Sequence, residues 1–160
     1  MLNSEELKAA ISYEIRIIRH LGTKVDPAQV DWRPTPGQRS TLELLRYLAQ
    51  CGIVPVRAML ADDWRVAGDV PKEIAEMTLD DFDGAMERQE KDLHEALDSL
   101  GDAQLIERKG KMPWGDYVPM GHGVFLTSVR FLCAYRQQLF LYAKQSGAHE
   151  LNTVDAWRGA

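Results

Sequence analysis

Apolar residues recur along most of the chain at spacings of three and four, with polar residues between them. That period draws one apolar stripe on a helix. Leu7, Ile11, Ile15, Ile18 and Leu21 form the first stripe, and Asn3 with Glu6 offers an N-cap pair. A helix is therefore predicted from Ser4 to Leu21, with Gly22 as its stop. A second begins at the capping box Ser40-Thr-Leu-Glu43 and continues through Leu45, Leu48, Ile53 and Val56 to Leu60. Pro55 lacks a backbone donor and crowds the preceding turn, which predicts a kink near Cys51 and Gly52. The third helix opens at Thr78 with Asp81 at N3, and Leu79, Met86, Leu93 and Leu100 repeat every seven residues as a bundle seam, with Phe82 and Ala96 between. The last runs from about His122 to Gln145, before Gly147.

Between these stripes the punctuation is dense. Pro27, Pro34, Pro36 and Gly37 make residues 23–38 a long connection, in which Trp32 is expected to plug the core. Gly68 and Pro71 mark a second connection, with a short helical turn around Lys72 to Glu76. Residues 101–121 form a third, read as a short hairpin or as a lid over one end of the bundle. The tail from Ala148 either packs back through Trp157 or frays. The sum is a single all-α domain, residues 1–160: a four-helix bundle with long connections between helices 1 and 2 and between helices 3 and 4. The last helix is richer in apolar residues than one face requires, since Leu139-Phe-Leu-Tyr-Ala143 is an unbroken run. It is expected to be central, or to pack on its own domain and on a second copy, giving a homodimer through this helix.

Charge and cysteine content narrow the function classes. A net charge of −5 with no block of Lys and Arg argues against nucleic acid. The third helix carries eight acids on its outer side against Arg88 and Lys91, read as a solvated face. No run of 18 uncharged apolar residues is present, which argues against a membrane span. The acidic start, Met1-Leu-Asn-Ser-Glu-Glu-Leu, does not read as a signal peptide. Cys51 and Cys133 form no CxxC pair, so a reduced, cytoplasmic setting with both thiols as small hydrophobes is expected.

Two stretches resemble a known family. Trp32-Arg-Pro-Thr-Pro-Gly-Gln-Arg-Ser40, followed by Leu44-Leu-Arg-Tyr-Leu-Ala49, resembles the start of helix 2 in the DinB-like (DinB/YfiT) superfamily. Phe131-Leu-Cys-Ala-Tyr-Arg-Gln-Gln138 resembles its last helix. The resemblance implies a DinB-like four-helix bundle. It also implies a divalent metal, nickel or zinc, held by one histidine of helix 2 and a His-x-x-x-His pair of the last helix followed by Arg-Gly-Gln, and in some members used to activate a small thiol. Here those positions are Tyr47, Phe131 and Tyr135; Arg136 and Gln138 match, and Gln137 replaces the glycine. Phenylalanine cannot ligate, and a phenol is a poor ligand for zinc or nickel at neutral pH. His20, His94, His122 and His149 share no i, i+3 or i+4 spacing, so no metal and no cofactor are expected.

The candidate pocket residues are thus Tyr47, Cys51, Phe131, Tyr135, Arg136, Gln138 and Trp32. Arg46 or Arg136 would be needed beside Cys51 to make its thiol reactive. The leading reading is a metal-free, non-catalytic bundle that binds a small molecule or a partner. The alternatives are a metal-independent enzyme using the two phenols and Arg136, and a metal-dependent thiol transferase or isomerase acting in the same pocket.

Overall fold

The computed structural model describes residues 2–160. Helix α1 (Ser4–Gly22) carries the capping box of Asn3 and Glu6 and buries Leu7, Ile11, Ile15, Ile18 and Leu21 completely. Gly22 belongs to the helix, and packing rather than turning explains it. A Cβ there would lie 2.7 Å from two ring carbons of Phe82. Gly22→Ala is expected to cost about 1–3 kcal/mol through overpacking, measurable by urea unfolding.

The second predicted helix is two. Helix α2 (Thr41–Leu48) starts at the Ser40–Glu43 capping box, and α3 (Ile53–Ala61) follows after a turn, bent by 49°. Pro55 is the third residue of α3, where a backbone N–H has no intrahelical partner to lose. The proline therefore starts a new helix instead of kinking an old one. The break is stapled by a buried side chain. Gln89 donates from Nε2 to the Leu48 carbonyl at 2.8 Å and accepts at Oε1 from the backbone N–H groups of Gly52 (2.8 Å) and Ile53 (3.3 Å). The Ser128 hydroxyl donates to the Gly52 carbonyl at 2.6 Å.

A strap follows, with a 3₁₀ turn at Trp64–Gly68 and a short helix α4 (Lys72–Ala75). Helix α5 (Phe82–Glu107) is preceded by Thr78, whose N–H and hydroxyl both donate to Asp81. The helix does not end at Leu100. Gly101 takes a left-handed φ of 64°, and the chain then resumes helical turns to Glu107. The outer acids of α5 are engaged by cations of neighbouring helices: Arg19 meets Asp83 at 2.6 Å and Glu87 at 2.8 Å, Lys8 meets Asp98 at 2.6 Å, and Arg57 meets Asp92 at 2.7 Å.

The third connection is a hairpin, β1 (Lys109–Lys111) antiparallel to β2 (Tyr117–Pro119), with Gly110 opposite Val118. Trp64 Nε1 donates to the Lys111 carbonyl at 2.6 Å, which ties the strap to the hairpin. The last long helix is composite: α6 (Met120–Val124), a π-helical turn (Phe125–Val129) and α7 (Arg130–Gln145).

Helix α1 packs along α5 and α7, and α2 packs on α7. The apolar run on α7 is taken up inside one chain. Leu139, Tyr142 and Ala143 are buried, and Leu141 is the exposed large residue of the run. The tail forms α8 (Thr153–Arg158), docked on α1 and α7, though Trp157 itself is exposed. Among the described residues no single helix is long and apolar enough to cross a membrane.

Candidate functional site

Helices α2 and α7 bring four of the sequence candidates together. Tyr47 and Cys51 are one turn apart on α2 and its C-terminal break; Phe131 and Tyr135 are one turn apart on α7. The rings of Tyr47 and Tyr135 lie 4.5 Å apart, tilted by 60°. Beside them is a cavity of about 270 Å³ lined by Tyr47, Gln50, Cys51, Val54, Trp64 and Phe131, with Pro55, Ala67 and Val70 completing its apolar wall. Tyr135 supports the wall from behind Tyr47 and does not line it.

Electrostatics of the site come from a residue that the sequence reading did not single out. The guanidinium of Arg39 sits 4.3 Å from the Tyr47 ring centroid and 5.9 Å from that of Tyr135. A cation over an aromatic face is attracted by the ring quadrupole. Its position one residue before the Ser40 cap fixes it: the cap turns the chain into α2, and the Arg39 carbonyl accepts from the Tyr142 hydroxyl at 3.2 Å. The only signal in the sequence was an arginine at the end of the proline-rich loop.

Arg136 does not enter the pocket, contrary to expectation. It is buried on the other side of α7, with Nε 2.6 Å from Glu14 Oε2, and it donates to the Ala156 carbonyl. The Trp157 ring lies 4.9 Å from its guanidinium, and the Cys133 sulfur accepts from it at 3.5 Å. The reason is phase: Arg136 follows Tyr135 by about 100° around the helix, so the two cannot share a face. Gln138 is also elsewhere, donating to the Tyr142 hydroxyl at 2.9 Å. Trp32 meets Tyr142 edge-to-face at 5.3 Å, as a plug under the loop and not as a pocket wall.

The thiol of Cys51 is buried and pushed up to about 12, with desolvation as the first cause. Neither arginine considered for it in the sequence is its neighbour, since Arg46 Nε donates to the Met77 carbonyl at 2.9 Å. Arg39 opposes the upward shift only weakly. Tyr47 is likewise held above its ordinary value, first by burial and then by Cys51 and Tyr135. At neutral pH the site therefore presents a neutral thiol and a neutral phenol.

Donor chemistry at the three positions is unsuited to a divalent ion. Phe131 has no donor atom, and burial holds the Tyr47 hydroxyl protonated, the form in which a phenol is a poor ligand. Among the described residues no three His, Cys, Asp or Glu side chains converge as ligands would. The histidines are dispersed: His20 pairs with Asp155 at 2.8 Å, His94 with the Ser12 hydroxyl at 3.0 Å, and His149 with the Lys144 carbonyl at 3.0 Å.

No family model matches the chain, and no curated protein matches it by sequence. Solved structures do. A DinB-like protein of Bacillus subtilis, YjoA, superposes with a TM-score of 0.71 at 14% identity, over 89% of this chain and 92% of that one. The sibling lethal factor precursor DfsB superposes with a TM-score of 0.67 at 18% identity, over 92% of this chain and 98% of that one. On this evidence the chain has the DinB-like fold, an all-α bundle with a small hairpin before its final long helix.

Proposed function

We propose that this DinB-like chain is a metal-independent, non-catalytic bundle that binds a small aromatic or otherwise apolar molecule between α2–α3 and α7. The cavity beside the Tyr47–Tyr135 pair carries the reading. Its wall is mostly apolar, with Gln50 and the Tyr47 phenol as polar groups, and its 270 Å³ suits a ligand of about one ring. Thiol transfer in the same pocket has less support, because a Cys51 thiol held near 12 supplies almost no thiolate at pH 7. Both cysteines are free, which supports a reduced, cytoplasmic setting.

Two measurements test the reading. Calorimetric titration with nickel and with zinc is expected to give no stoichiometric heat, and metal analysis of the purified protein to give substoichiometric metal. Tight one-to-one binding of either ion would overturn the metal-independent part. Titration with p-cresol is expected to change the emission of Trp64, which lines the cavity, and Trp64→Phe should remove that change. An emission spectrum indifferent to p-cresol would overturn the binding part.

A further inference from the structure

The strap between α3 and α5 lies between two cavities. Trp64, Ala67 and Val70 face the one beside Tyr47 and Phe131. Val66, Asp69 and Pro71 face a second, of about 480 Å³, bounded by α3, α4 and α5. Gln50 and Val54 line both, so the two cavities adjoin at these side chains. The strap's backbone is held mainly by its own short turns, Asp69 N–H to the Val66 carbonyl and Val70 N–H to the Gly68 carbonyl, with the Trp64 indole as its tie to the hairpin.

The second chamber differs in chemistry from the first. Ile53, Ile74 and Ala85 give it an apolar floor. One wall, on α5, carries Arg88 and Lys91, and the opposite wall, on the strap and α4, carries Asp69 and Glu73. Arg57 and Asp92, which also line it, neutralise each other at 2.7 Å. Among the described residues Arg88, Asp69 and Glu73 have no opposite charge within the 4.0 Å of an ion pair. Lys91 reaches only the exposed Glu95, at 3.7 Å. Walls of opposite sign facing across a gap select against a simple ion, which is attracted by one wall and repelled by the other. A head bearing an ammonium and a carboxylate side by side satisfies both.

We propose that the strap Trp64–Pro71 covers one two-chambered site for a zwitterionic α-amino acid with a large apolar side chain. The head lies between α5 and the strap, and the side chain passes Gln50 and Val54 to rest against Trp64 and Phe131. The inference builds on the reading of the Tyr47–Phe131 cavity as a ligand site and names the class of ligand.

The test is calorimetry with L-phenylalanine against 3-phenylpropionate, which lacks the ammonium, and phenethylamine, which lacks the carboxylate, with p-cresol as a body-only probe. L-Phenylalanine is expected to bind about tenfold more tightly than either singly charged analogue. Arg88→Gln and Glu73→Gln, both on exposed side chains, are each expected to weaken L-phenylalanine about three- to tenfold, leaving p-cresol unchanged. Unaltered melting curves would show that both variants fold. Equal affinity for the analogues, or indifference to both substitutions, would overturn the zwitterion site. Binding of p-cresol without L-phenylalanine would overturn it too, while leaving the aromatic pocket standing; binding of neither would overturn both.

Discussion

Arg136→Met is expected to lower the unfolding free energy by about 3–5 kcal/mol, because it strands a carboxylate inside the bundle. Arg136 is 2% exposed, and its Nε lies 2.6 Å from Glu14 Oε2 in an alignment that falls short of a hydrogen bond. The pair is thus held by charge more than by geometry. Glu14 already titrates above its ordinary value of 4.5, burial outweighing the pull of Arg136. The sign of the pH dependence follows. A carboxyl whose folded pKa is raised costs stability when ionised, above that folded pKa, and the cost fades as pH falls through it towards the unfolded value. Removing Arg136 raises the folded pKa further. The loss relative to wild type should therefore be large at pH 7 and shrink as pH falls towards 5. Urea unfolding across that range checks it. Glu14→Met combined with Arg136→Met should recover most of the loss, the Ala156 carbonyl still lacking its donor. A double variant as unstable as the single one would show that the guanidinium acts by docking α8, not by balancing Glu14.

Gln89→Leu carries the second large effect. The substitution fills the same space but leaves the N–H groups of Gly52 and Ile53 without their side-chain acceptor in the core, and the Leu48 carbonyl with only the weak Cys51 thiol donor at 3.7 Å. Each buried unsatisfied group costs about 1–3 kcal/mol, and the three share one side chain, so a total of about 3 kcal/mol or more is expected in chemical denaturation. Gln89→Glu separates the two halves of the staple. It retains the acceptor for Gly52 and Ile53, loses the donor to the Leu48 carbonyl and to the Met86 sulfur, and places a carboxyl at a position only 2% exposed. Its stability should therefore rise as pH falls and that carboxyl becomes a donor. Since Tyr47 and Cys51 flank the stapled turn, any p-cresol response should weaken in Gln89→Leu even where the variant remains folded.

Much of the architecture was legible because local signals agreed with one another. The boxes Asn3–Glu6 and Ser40–Glu43 start helices where the apolar stripes begin, and Gly147 follows the last one. The heptad seam of α5 was readable through Leu100, but not its continuation, since a glycine reads equally as a stop and as a left-handed link. The resemblance that supplied the fold also placed Tyr47, Phe131 and Tyr135 in one region. It misled at Arg136 and Gln138, where matching residue types do different work: one balances Glu14 and the other steadies Tyr142. Arg39 and the strap were out of reach for another reason. Each acts through a neighbour distant in sequence, Arg39 through Tyr135 and Trp64 through Lys111, and no periodicity records such a pairing.

The π-helical turn at Phe125–Val129 sets the phase of everything after it. An α-helix advances about 100° per residue, and a π turn takes up one residue more than the α turn it replaces. The last helix thus contains the equivalent of a single-residue insertion, absorbed without breaking the rod. Upstream, Gly121 and Gly123 let the helix approach Leu105 and Met59 closely; downstream, Phe131 and Tyr135 point at α2. A regular α-helix would keep only one of these alignments and turn the other by about a quarter of a revolution. The turn therefore uncouples two faces that sequence spacing ties together, so the half of the helix that bears the pocket can be re-aimed while the half that packs under the hairpin stays in place.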